Sequence, residues 1–280
     1  MATASEPAPK TSVNGSFKKR VLSASLLAPA ALAAIYVGGA VFAAIVAFAV
    51  IVMAYEWARM VEGRDFTRTF FALAAGGAVA LALAAAGRYG FAFAACAGAG
   101  ALSAIATMPA AKRPAWAAFG AAYILAPSVA LIWLRNDVPE GRALTLMLFL
   151  IVWGADSGGY FAGKLVGGPR MSPAISPAKT WAGAVGGLIL GAISAMVTAK
   201  LLWTDALLAN YALIGGSLGL ASILGDMAES AFKRVFGVKD SSNLIPGHGG
   251  FLDRLDGMIF ATTAMTLVLY VQSEWGRVPG

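Results

Sequence analysis

The sequence predicts an all-α, polytopic integral membrane protein of about nine transmembrane helices, with its amino terminus in the cytoplasm. Three observations predict it. Of 280 residues, 59% are hydrophobic and only 12% are charged, about half the charged share of a soluble domain. Apolar runs near the ~20 residues that cross a bilayer as a helix recur along the whole chain. Lys and Arg gather in alternate connecting segments, which is the mark of cytoplasmic loops.

The elements follow in order. Residues 1–17 are polar and read as a disordered cytoplasmic tail. Candidate spans cover 21–37, 40–58, 68–86, 89–107, 115–134, 143–162, 180–202, 207–232 and 255–273. Only Gly38-Gly39 joins the first two, so they form either a tight hairpin of spans or a partly re-entrant element. Lys18-Lys19-Arg20, followed by an apolar run and Ala31-Leu32-Ala33, has the outline of a signal peptide. The long polar leader and the spans that follow favour a retained helix. Residues 68–134 are mostly Ala and Gly without an internal repeat, and small residues let membrane helices approach closely. Gly183, Gly187 and Gly191 recur every four residues, which predicts a close helix contact.

With the amino terminus inside, sixteen of the 21 Lys and Arg fall on the cytoplasmic side. The outer side keeps Arg88, Arg135, Arg142, Lys200 and Arg277. The net charge of +7 is thus topogenic and attracts anionic lipid. Its spread over loops argues against a nucleic-acid partner. The single cysteine, Cys96, lies inside a span. It can form no intrachain disulfide, and a cysteine zinc site is excluded.

The carboxyl-terminal half carries acids inside or at the ends of spans, where each costs about 2.5–3.5 kcal/mol to insert. Asp156 lies in the sixth span, Asp226 and Glu229 in the eighth, and Asp253 and Asp256 open the ninth. The topology brings all of them near the cytoplasmic ends of their helices. Residues three apart share a helix face, so the pairs Asp226/Glu229 and Asp253/Asp256 can each aim two carboxylates at one point. Unpaired carboxylates ~4 Å apart repel by roughly 4 kcal/mol at an effective dielectric of 20. Something positive therefore sits between them: a hard cation such as Mg²⁺, which takes oxygen ligands, or the side chains of Lys233, Arg234 and Arg254 as a salt-bridge network.

Cations outnumber what the aspartates of this stretch need. Lys233, Arg234, Lys239 and Arg254 are joined by Ser176-Pro177-Ala178-Lys179-Thr180 at the start of the seventh span. A helix amino terminus attracts phosphate. The glycines around His248, in Pro246-Gly247-His248-Gly249-Gly250, let backbone approach a bulky anion. Anion-binding groups beside a metal-type acid cluster point to nucleoside triphosphate chemistry, although no Walker A loop is present. An ion transporter is the main rival, since intramembrane acids suit ion pathways. Against it, the charges gather at one face.

These residues resemble a known family. Ser230-x-Phe-Lys-Arg, Lys239-Asp-Ser and IPGHGGFLDRLD, from Ile245 to Asp256, are similar to the signature of the phosphatidate cytidylyltransferases. VWGADSGGY, SPAKTWAG and GDMAES extend the likeness in the same order, so that it covers about 153–257. Gly159 stands where the family pattern leads one to expect alanine, small for small. A CDP-alcohol phosphotransferase is a poorer fit, because its paired-aspartate motif is missing, and a CTP-using polyprenol kinase fits on chemistry alone. The resemblance implies a bacterial inner-membrane enzyme that condenses CTP with phosphatidic acid to CDP-diacylglycerol and pyrophosphate. It also implies Mg²⁺, room for a second cation (K⁺), and a homodimer among membrane lipids. It assigns Asp226 and Asp253, with Asp256 as a third, to the cation. On this reading residues 18–140 supply scaffold, dimer or lipid contacts and 141–280 the catalytic region. Lys233 and Arg254 act in catalysis beside Asp226 and Asp253. Ser176, Lys179, Thr180, Arg234, Lys239, His248 and Asp156 bind substrate. CTP is cytosolic and phosphatidate lies in the leaflet, so the site is expected at the inner interface.

Overall fold

A computed structural model describes residues 13–108, 113–204, 206–242, 244 and 249–275; of 13–24 and 273–275 it describes the backbone alone. Nine helices dominate the described residues. They are α1 Val13–Val37, α2 Gly39–Glu62, α3 Arg68–Ala85, α4 Tyr89–Thr107, α5 Pro114–Asn136, α6 Gly141–Leu165, α7 Trp181–Leu202, α8 Leu208–Phe236 and α9 Leu252–Trp275. Helices α2 to α9 are each long and apolar enough to cross a membrane, which makes this a polytopic membrane protein. Each lies within a few residues of its expected span. In α1 the described apolar side chains cover only Ser25–Val37, too short to cross by themselves. That helix also starts at Val13, inside the stretch expected to be a disordered tail, because helix propagates cheaply along a chain once nucleated.

The hairpin at Gly38-Gly39 has a physical cause. Both glycines take positive φ, 69° and 52°, which turns the chain back within one residue. Arg135 then donates to the last carbonyls of α1, at 2.5 Å to Ile35 and 3.1 Å to Tyr36. The amide of Gly39 donates to Asn136 Oδ1 at 3.0 Å. Helix α5 changes pitch halfway: Ala121–Leu125 form a π turn, which aims Tyr123 inward, where it is only 4% exposed.

Two clusters of apolar side chains form the interior. The first joins α2, α3, α4 and α5 around Trp57, Leu73, Ile124 and Leu125. The second joins α6, α7 and α8 around Leu148, Ile151, Ala195 and Leu218. Helix α9 belongs to both, through Leu252 and Ile259 on one side and Met258, Ala261 and Met265 on the other. The expected glycine contact in α7 is present. A Cβ on Gly187 would lie 3.0 Å from the Ala155 carbonyl of α6, and one on Gly191 would lie 3.0 Å from the Gly215 carbonyl of α8.

One element departs from the expected order. Residues before the seventh span form a two-stranded antiparallel hairpin, β1 Arg170–Ser172 and β2 Ser176–Thr180, pairing Arg170 with Thr180. Ser176 and Lys179 thus lie on a strand that leads into α7 and not on its first turn. Thr180 is the N-cap, its hydroxyl accepting from the Gly183 amide at 3.1 Å, as short hydroxyl side chains do at helix starts.

Candidate active site

Acids and bases from four elements meet at one end of the bundle. Close backbone contact between α8 and α9 starts the assembly. A Cβ on Gly225 would stand 2.5 Å from the Asp256 carbonyl, and one on Gly257 would stand 3.0 Å from Asp226 Oδ1 and collide with Ser222 Oγ. These two glycines therefore let the helices touch just where each carries an acid. Asp226 and Asp256 are thereby brought near enough for each to lie in the other's field. Lys179 reaches across from β2 and pairs with Asp226 Oδ2. Asp156 of α6 lies in the field of Asp226, Lys179 and Arg254. It is exposed despite these neighbours.

A second group adjoins the first. Lys233 Nζ sits 2.5 Å from Glu229 Oε2, one helical turn back, and 2.7 Å from Asp253 Oδ1 of α9. Glu229 is wholly buried, and Lys233 and Asp253 keep side-chain exposures of 13% and 8%. Lys233 thus holds two carboxylates together in the interior, the salt-bridge arrangement the spacing allowed. The other oxygen of Asp253 accepts from the Gly250 amide at 2.8 Å, the Ser241 hydroxyl at 3.0 Å and the Ser241 amide at 3.2 Å. Charge-assisted bonds of this kind are among the strong ones.

The remaining expected residues are placed as follows. Arg234 is exposed and donates to the Ile175 carbonyl at 3.3 Å, tying α8 to the β-hairpin. Lys239 is exposed on the segment after α8. Arg254, in the first turn of α9, faces Asp156 electrically. His248 lies outside the described residues.

Among the described residues no three acids, histidines or cysteines form a ready metal cage. Two observations nevertheless fit a hard cation near Asp226 and Asp256. Asp226 and Asp256 lie in each other's field where α8 and α9 touch, and two neighbouring carboxylates favour a proton or a cation beside them. The adjoining Ser222 hydroxyl is buried and has no hydrogen-bond partner, so it adds an unused oxygen. Asp253 is turned to Lys233 instead.

Sequence reasoning passed over three groups. Glu56 of α2, 0% exposed, accepts from the amides of Phe251 and Leu252 at 2.8 and 2.6 Å and from the Ser242 hydroxyl. Ser241 and Ser242 lie in the loop that carries the Lys239-Asp-Ser motif. Tyr123 of α5 places its hydroxyl in the field of Asp226, Glu229, Asp253 and Asp256. The signal for Glu56 was a lone acid at the end of a strongly apolar run, which is a functional candidate by default.

Helical spans whose ends gather five acids and several bases define a polytopic membrane protein with a charged cluster at one end of its bundle. The family follows from comparison. Residues 18–272 match the model of the cytidylyltransferase family, and the chain belongs to that family, whose members are nucleotidyl-transferring enzymes. It is 35% identical to the phosphatidate cytidylyltransferase of Pseudomonas aeruginosa over 268 residues, 92% of this chain and 98% of that protein. The phosphatidate cytidylyltransferase of Brucella suis is 40% identical over 157 residues, 54% of this chain and 56% of that protein. That of Haemophilus influenzae is 42% identical over 130 residues, 45% of each. These last two matches span about half the length of the relatives concerned.

Proposed function

We infer that the chain condenses CTP with phosphatidic acid to give CDP-diacylglycerol and pyrophosphate. The observation that carries this reading is the convergence of Lys179, Asp226, Asp256 and Asp156 from β2, α8, α9 and α6 beside the Lys233 group. The relatives' names and the family match support the same reaction. The Lys and Arg excess on loops at this end of the helices supports a cytoplasmic site.

In the reaction a phosphate oxygen of phosphatidate attacks the α-phosphorus of CTP. A new P–O bond forms, the bond from the α-phosphorus to the bridging oxygen breaks, and pyrophosphate leaves with that electron pair. A phosphate monoester has a second pKa near ~6, so the nucleophile is already ionised at neutral pH and needs no strong base. The barrier lies in bringing two polyanions together.

The residues divide that work. Lys179 and Lys233 are held on carboxylates and offer their remaining N–H groups to phosphate oxygens. Arg254 and Arg234 add planar donors suited to phosphate. Asp226 and Asp256, with the Ser222 hydroxyl beside them, would hold Mg²⁺, and Asp253 keeps Lys233 in place. When bound there, Mg²⁺ supplies charge stabilisation to the reacting phosphates. Asp156, in the field of Arg254 and Lys179, balances their charge beside the substrate.

Purified protein with CTP labelled in the cytosine, in micelles with and without phosphatidic acid, tests the reading. Label should move to a chloroform-soluble product only when phosphatidic acid is present, with one pyrophosphate per turnover. Pyrophosphate release that is indifferent to phosphatidic acid would refute it.

A further inference from the structure

Glu56 belongs to the amino-terminal half of the chain, yet every hydrogen bond found for its side chain goes to the segment that leads into α9. Its two oxygens accept from Phe251 N at 2.8 Å, from Leu252 N at 2.6 Å, from the Ser242 hydroxyl, and more distantly, at 3.4 Å, from the Ser241 hydroxyl. The Ser241 hydroxyl lies closer, at 3.0 Å, to Asp253 Oδ2, so its one proton serves Asp253 and the hydroxyl stands between the two acids. All these groups meet around Gly250. A Cβ there would stand 2.8 Å from Glu56 Oε1 and 3.0 Å from Asp253 Oδ2, and would collide with Ser241 Oγ.

A carboxylate in this place does what no neutral side chain can. The first amides of a helix have no partner within it, and a negative charge at that end is favoured by the helix dipole. From another helix, Glu56 satisfies the amides of Phe251, just before α9, and of Leu252, its first residue, 195 and 196 residues later in the chain. Only a side chain with acceptors on both arms fits these three donors, the amides of Phe251 and Leu252 and the Ser242 hydroxyl. Glutamine would present its NH₂ to one of them and leave that donor buried and unsatisfied.

We propose that Glu56 is a positioning residue: it fixes the first turn of α9 and the Ser241–Ser242 loop, and through them the orientation of Asp253 and its partner Lys233. This rests on the proposed role of Asp253. Helix α2 touches no phosphate on this account. It sets the angle at which α9 presents its acids, and a misplacement of ~1 Å at a reacting centre can cost about 10²-fold in rate.

The test compares Glu56→Gln, Glu56→Asp, Ser242→Ala and Asp253→Asn as full-length proteins in detergent. Turnover of CTP and phosphatidic acid and hydrogen exchange at amides 250–252 are both read. Glu56→Gln should lower kcat about 10²-fold while the KM for CTP stays within about threefold, and exchange at those amides should rise at least tenfold. Glu56→Asp, which keeps the charge on a shorter arm, should recover part of kcat. Ser242→Ala should lower kcat about 3–10-fold and serves where Glu56→Gln does not fold. Glu56→Gln with at least half of the parent kcat, or Ser242→Ala with full kcat and unchanged exchange, would overturn the proposal. Asp253→Asn separates the two readings. If it is inactive while Glu56→Gln is active, only the role of Glu56 falls. If it is itself active, the role of Asp253 falls.

Discussion

Replacing Lys233 by methionine keeps the length of the side chain and removes its charge. The cost can be worked from its two contacts. Lys233 lies 2.5 Å from Glu229 and 2.7 Å from Asp253, and both acids are buried. Without the ammonium, two carboxylates held roughly 4–5 Å apart repel by about 3–4 kcal/mol at an effective dielectric of 20. Removing one member of a buried ion pair costs a similar 3–5 kcal/mol in practice. Lys233→Met should therefore lower the melting temperature on the order of 10 °C. The chain supplies its own reporter, since its one cysteine, Cys96, is buried in α4 and reacts with a thiol dye only on unfolding. Adding Glu229→Gln removes the repulsion and should restore at least about 2 kcal/mol, because Asp253 keeps its bonds to Ser241 and Gly250. Turnover should remain below about a hundredth of the parent in the double variant, since the charge proposed to bind phosphate is still missing. A loss under ~2 °C for Lys233→Met, or no recovery in the double variant, would refute the reasoning.

Other perturbations separate chemistry from packing. Asp226→Asn strips Lys179 of its partner and Asp256 of its neighbour; kcat should fall about 10²–10³-fold, the scale on which a single electrostatic contact counts in catalysis, with the melting temperature within a few degrees of the parent. Gly257→Ala pushes a methyl group against Ser222 Oγ and within 3.0 Å of Asp226 Oδ1. It should cost about 1–3 kcal/mol by overpacking and lower kcat as well, and Ser222→Gly in the same chain should return part of the stability but not of kcat, since it removes the hydroxyl proposed to serve the cation. Arg135→Ala frees the carbonyls of Ile35 and Tyr36 at the far end of the bundle. It should cost about 1–3 kcal/mol of stability and leave kcat within about twofold, which assays of melting and turnover read together.

Much of this architecture was legible in the sequence, for a physical reason. Apolar runs of membrane length report directly on helices, so α2 to α9 appear where hydropathy places them. The i, i+3 spacing put Asp226 with Glu229 on one face of α8 and Asp253 with Asp256 on one face of α9, but the acids meet across the helices, Asp226 beside Asp256 and Glu229 with Asp253 on Lys233, and not each pair at one point. What the spacing left open was the pairing. Lys233 inside a carboxylate pair and Lys179 on Asp226 depend on how closely α8 and α9 approach at Gly225 and Gly257, and helix periodicity does not encode that distance. The β-hairpin before α7 escaped because its strands are three and five residues long and carry no alternating pattern. Glu56 escaped because its donors lie nearly two hundred residues away and are mostly backbone amides, which look alike in any sequence.

The placement of Glu56 changes how the two halves of the chain relate. If the amino-terminal helices were only a lipid-facing scaffold, their contacts with α8 and α9 would be apolar and interchangeable. Trp57 meets part of that description: it packs edge-on against Phe232 and Phe236 of α8 and donates to the Trp116 carbonyl at 3.0 Å. The residue just before it does not. Glu56 spends a buried carboxylate, which apolar packing would never require, on the two amides that open α9. Adjacent residues of one helix thus grip the end of α8 by area and the start of α9 by charge. A rigid apolar contact fixes where a helix lies, and a directional polar contact fixes how it is rotated. Asp253 and Asp256 face their partners only at one rotation of α9, so α2 takes part in defining the site although it contributes nothing that reaches a phosphate.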